Sequence, residues 1–147
     1  MESHAAEQLD AIADTRAAVA DRLVTPWWYH PIFGVLIAGY VAGTGYGNSL
    51  VKMATVLLFF AAVAVLAKAY QRLTGVWVSG FDAGRASRWA TALGAMVGVI
   101  AVAAWVVGDY TDLHWPVWAL AATGLAGTII LGRGFDNALR AQLRASA

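Results

Sequence analysis

Four stretches of the chain are apolar and nearly free of charge, near 31–48, 50–69, 89–108 and 115–132. A helix that crosses a bilayer needs about 20 such residues, within a range near 17–25, to cover a hydrocarbon core of about 30 Å. The runs LVKMATVLLFFAAVAVLAKA and WATALGAMVGVIAVAAWVVG satisfy this well. The first and fourth runs are shorter and richer in glycine, yet long enough. Gly43, Gly45, Gly47 and Asn48 form a tight link between the first two runs, and Asp109 to His114 is a short link between the last two. The pattern therefore predicts an all-α, polytopic membrane protein with four transmembrane helices arranged as two helical hairpins. Residues from about 70 to 88 make the one sizeable loop between spans.

Ahead of the first run, residues 2–24 contain no glycine or proline and are rich in alanine. Leu9, Ile12, Val19 and Leu23 fall on one face at helical spacing, with Arg16 interrupting the stripe. Thr25-Pro26 breaks the helix. This predicts a cytoplasmic amphipathic helix over 1–25, a transmembrane domain over 26–132 and a short basic tail over 133–147, with Leu139 and Leu143 paired at i, i+4. The acidic first half of the N-terminal helix disfavours an anionic lipid surface. Packing on another helix is the better expectation for it.

Composition agrees with lipid as the solvent. The chain is 60% hydrophobic and 13% charged, against roughly 25% charged residues in soluble proteins. A fold of 147 residues cannot hide that much apolar surface from water. There is no cysteine, which excludes disulfides, thiol catalysis and thiolate metal sites. The segment before the first run is acidic where a secretory signal would open with basic residues, so it is expected to be retained.

The placement of the cations sets orientation. Arg16, Arg22, Lys68, Arg72, Arg85, Arg88, Arg133, Arg140 and Arg144 all fall on one side of the expected spans, and Lys52 alone falls on the other. The positive side faces the cytoplasm. Both termini are then cytoplasmic, in the plasma (inner) membrane of a cell. Trp27, Trp28, Tyr29, Tyr70, Trp89, Trp115 and Trp118 sit at run ends, where amphipathic rings favour the headgroup layer.

Few residues could carry chemistry. Lys52 lies just inside the second run, and Asp109 or Asp112 could pair with it at the outer rim. His30, within Pro26-Trp27-Trp28-Tyr29-His30-Pro31, and His114 lie at opposite faces, so they cannot share a metal or haem. The aromatic segment Trp27, Trp28, Tyr29 and His30 is a candidate docking ledge for a partner or a lipid headgroup, held between two prolines; a sharp corner into the first span is the simpler alternative. Trp77, Arg85 and Arg88 in the middle loop are further candidates for lipid or partner contact. Gly39 and Gly43, and Gly94 and Gly98, form two GxxxG pairs that let helix backbones approach. No catalytic residue, cofactor, metal or nucleic-acid partner is called for.

Several small four-span classes are excluded: thiol oxidoreductases by the lack of cysteine, haem bundles by the lack of paired histidines, and proton-coupled drug transporters by the lack of a carboxylate in the first span. The segments RLVTPWWYHPIFG at 22–34 and RLTGVWVSG at 72–80 resemble small four-span membrane proteins of unknown function from actinobacteria, and the likeness runs from about Asp21 to Arg133. That resemblance implies the same topology and no mechanism. The leading expectation is a non-enzymatic component that self-associates or serves a larger membrane complex, with lipids as its surroundings. The alternative is a small oligomeric channel or transporter built around Tyr40, Thr44, Thr55, Thr123 and Thr128.

Overall fold

The computed structural model describes residues 2–22, 25–75, 80 and 83–145. Their regular structure is entirely helical: α1 (Glu2–Arg22), α2 (Tyr29–Tyr46), α3 (Ser49–Thr74), a 3-10 turn (Gly84–Ala86), α4 (Ser87–Tyr110) and α5 (Trp115–Ala145). Three of these, α3, α4 and α5, are long and apolar enough to cross a membrane. The sequence pattern led us to expect four. In α2 the 18-residue helix is polar at both ends, with Tyr29, His30 and Pro31 at one and Thr44, Gly45 and Tyr46 at the other, which shortens its apolar stretch. α5 does not end with its apolar run: a single helix of 31 residues carries the basic segment on to Ala145.

Local chemistry explains the boundaries. Pro31 falls in the first turn of α2, where a missing N–H costs nothing, so the helix starts ahead of it. The turn between α2 and α3 is closed by the Gly47 N–H donating to the Gly43 carbonyl at 3.1 Å. Asn48 then caps α3, its side chain accepting from the Val51 N–H at 3.0 Å. At the far end Gly75 adopts φ +68°, the left-handed conformation that glycine enters without a Cβ penalty.

The bundle is built around α2, which packs against α3, α4 and α5; α4 also packs along α5. Ile37 and Val41 of α2, Ile100 and Ala104 of α4, and Val117 and Ala121 of α5 form the buried centre. Small residues let α2 sit there. A methyl added at Gly108 would collide with the Gly45 carbonyl oxygen, and one at Gly34 would come within 3.1 Å of the Leu125 carbonyl oxygen. The outer face is the reverse of a soluble protein's. Only 6% of the apolar window of α3 is buried, and Leu57, Leu58, Phe60 and Val65 are each about two-thirds exposed. A contiguous apolar surface of that kind is rare on a soluble monomer and is what lipid requires. Among the described residues the amphipathic α1 packs mainly on α5, and its Leu9 and Ile12 stay exposed.

Candidate functional site

Aromatic rings mark two levels of the bundle. Tyr46, His114 and Trp118 cluster at one end: the Tyr46 ring packs on both partners, and its hydroxyl donates to the His114 carbonyl at 2.7 Å. Lys52 Nζ donates to Asp109 Oδ1 at the same end and ties α3 to α4. Asp112, the other candidate for that pair, is exposed. At the opposite end Tyr29 packs on Tyr70, with ring centroids 5.0 Å apart, and Trp89 lies against Gly134. His30 and His114 thus sit at opposite ends.

The side chains of the Trp27–Pro31 segment point in different directions. The Tyr29 N–H donates to the Pro26 carbonyl at 3.0 Å, so the chain turns sharply into α2. Trp27 is 83% exposed, Tyr29 looks towards α3, and His30 is buried against α5. The His30 ring lies over Gly132, where any side chain would collide with it. One turn further along α5, Asp136 Oδ2 accepts a hydrogen bond from His30 Nε2–H at 2.7 Å. The two side chains are 10% and 12% exposed. This pair clamps the start of α2 to the extension of α5.

Two cavities flank the clamp. One, of about 210 Å³, is mainly apolar and is lined by Phe33, Tyr70, Leu93, Leu131 and Phe135, together with Trp89. The Trp89 indole Nε1 is buried there without a hydrogen-bond partner among the described residues. The other, of about 260 Å³, is polar and is lined by Trp27, Arg133, Asn137 and Arg140. Arg140 Nε is likewise buried and unpartnered among the described residues. His30, Asp136 and Thr25 border both cavities.

The remaining candidates lie elsewhere. Arg85 and Arg88 are exposed, with the Arg88 guanidinium 6.0 Å from the Trp89 ring centre, and neither lines the cavities that His30 lines. Trp77 falls outside the described residues. Of the four packing glycines, only Gly43 has an intrachain neighbour, Thr55; a Cβ at Gly39, Gly94 or Gly98 would meet nothing within 4 Å. Close contacts between the long helices fall instead at glycines such as Gly34, Gly45, Gly108, Gly124, Gly127 and Gly132. Sequence reasoning also passed over Asp136 and Arg140. Their signal was faint: a carboxylate one turn beyond a glycine, on what read as a short basic tail.

Fold and site define a helical bundle of the membrane type with a buried His–Asp clamp at one end. No protein-family model, curated protein or solved structure matches the chain.

Proposed function

We propose that this chain is a four-span plasma-membrane protein with both termini in the cytoplasm, acting as a non-enzymatic component that associates with further copies of itself. The actinobacterial resemblance belongs to the same reading. Treating α2 as the fourth span follows from its neighbours. It lies among three helices of membrane-spanning length, touching α4 and α5 near both of its ends through Gly45, Gly108 and Gly132. A helix that buries one side against its neighbours, as α2 does with Ile37 and Val41, needs less hydropathy than one that faces lipid all round. At 1.5 Å per residue α2 is about 27 Å long, close to the thickness of the hydrocarbon core. The nine cations grouped on one side of the spans support the orientation.

The observation that carries self-association is the outward-facing pair Gly94 and Gly98 on α4, with open space beyond each. Lipid offers no hydrophobic force to join helices, so close backbone packing at small residues is the principal means of doing so. The channel alternative loses support from the hydroxyl groups it would use. Thr44, Thr123 and Thr128 each donate to a carbonyl one turn back on their own helix, and Tyr40 stacks on Phe59.

The test is the mass of the complex extracted in mild detergent, with Gly98→Leu and Gly94→Leu beside the wild type. Wild type should run as a multimer, and both variants should shift towards the monomer while keeping the wild-type helix content and a cooperative thermal transition. A monomeric wild type, or variants that keep the wild-type mass, would remove the basis for self-association.

A further inference from the structure

We infer that the clamp end of the bundle holds one anionic phospholipid of the cytoplasmic leaflet, with its phosphate in the polar cavity and an acyl chain in the apolar one. The inference uses the orientation proposed above and is independent of self-association.

Arg133, Asn137 and Arg140 occupy one stripe of α5, at spacings of four and three residues that place them on the same helical face. Two guanidinium groups stand against one carboxylate in the lining of the polar cavity, and that carboxylate, Asp136, is engaged by His30. The cavity therefore attracts an anion whether the imidazole is neutral or charged. Arg140 Nε is buried with no hydrogen-bond partner among the described residues. A buried polar atom left in that state is costly, and a phosphate oxygen is the acceptor that guanidinium geometry suits best. Asn137 adds an amide donor alongside.

The second cavity decides between a free phosphate and a lipid. It shares the His30–Asp136 pair with the polar cavity and is otherwise lined by apolar side chains that include Phe33, Leu93, Leu131 and Phe135. A free anion has no use for an apolar channel at its back. A phospholipid does, since its phosphate and its acyl chain are covalently joined. The residue types also fit: Trp27, Tyr70 and Trp89 in the linings of the two cavities are of the kind that favours the headgroup layer, and the cytoplasmic leaflet is the anionic one.

The experiment is native mass spectrometry of the full chain released from detergent after exposure to phosphatidylglycerol or phosphatidylcholine of matched chains. Retention is read per protomer, so loss of association leaves the measurement intact. The wild type should retain one phosphatidylglycerol, with a preference of about tenfold over phosphatidylcholine, the size of one charge-assisted hydrogen bond. Arg133→Gln/Arg140→Gln should bring that preference close to unity. Arg133 is exposed, so Arg133→Gln alone should fold normally and lose part of the preference; it decides the matter if the double variant is unstable. Dihexanoyl phosphatidylglycerol should be retained less than the long-chain lipid. Equal retention of both headgroups by wild type would overturn the inference, as would a preference unchanged in the arginine variants. Inorganic phosphate that displaces the lipid as effectively as phosphatidylglycerol does would assign the site to a free anion and overturn the lipid reading.

Discussion

Gly108→Ala and Gly98→Ala make the same chemical change in the same helix and should have opposite effects. Alanine is worth about 1 kcal/mol over glycine in a helix interior. At Gly98 a Cβ meets nothing within 4 Å inside the protomer, so in detergent that keeps the chain monomeric the gain stands nearly alone and the variant should be as stable as wild type or slightly more. At Gly108 the methyl would be driven into the Gly45 carbonyl oxygen, with the Gly45 carbonyl carbon and Cα close behind. Those are backbone atoms, which cannot rotate aside, so α2 and α4 must separate where they are closest. Overpacking of a tight contact costs about 1–3 kcal/mol, and a rigid obstacle belongs at the upper end of that range. After the propensity gain is offset, the net loss is about 1–2 kcal/mol. On the scaling for chains of this size that is a fall of about 2–8 °C in the thermal midpoint. Tryptophan fluorescence during thermal unfolding in detergent measures it. A Gly108→Ala midpoint at or above wild type would refute the close α2–α4 contact, and a larger fall for Gly98→Ala would invert the proposed packing.

Asp136→Ala leaves a buried imidazole without its acceptor and should cost about 2–3 kcal/mol; Asp136→Asn keeps an acceptor oxygen and should cost less than half of that, and equal midpoints for wild type and Asp136→Ala would show that the clamp contributes nothing. The Lys52–Asp109 pair is more exposed, with side chains 19% and 38% accessible. A Lys52→Met/Asp109→Asn double-mutant cycle should therefore yield a coupling of only about 0.2–1 kcal/mol that weakens with added salt, and a larger, salt-independent coupling would contradict that placement.

Hydropathy made the helices legible, because a residue in lipid cannot be charged without penalty and the runs that result are long. The same signal failed at both ends of its range. It ended the fourth run at 132, although Arg133, Asp136 and Arg140 continue α5 without a break: charge stops a membrane span and has no power to stop a helix. It also made α2 look like the other three, when α2 sits at the centre and can tolerate polar ends. Glycine spacing showed that Gly94 and Gly98 share a face, and said nothing of which way that face looks. The close contact of Gly45 with Gly108 joins single glycines on different helices, for which no spacing rule exists. His30 was visible as an unusual residue among aromatics. Asp136, 106 positions away in sequence, could be tied to it only by the fold.

The central claim is that α2 crosses the membrane together with α3, α4 and α5, leaving both termini in the cytoplasm. The chain has no cysteine, so single cysteines at Trp27, Asn48, Gly75, Asp112 and Ala147 can be labelled against a silent background. An impermeant maleimide applied to intact cells should label Asn48→Cys and Asp112→Cys. Trp27→Cys, Gly75→Cys and Ala147→Cys should label only after permeabilisation. If Trp27→Cys and Asn48→Cys label from the same side, α2 does not cross, and the four-span account is wrong.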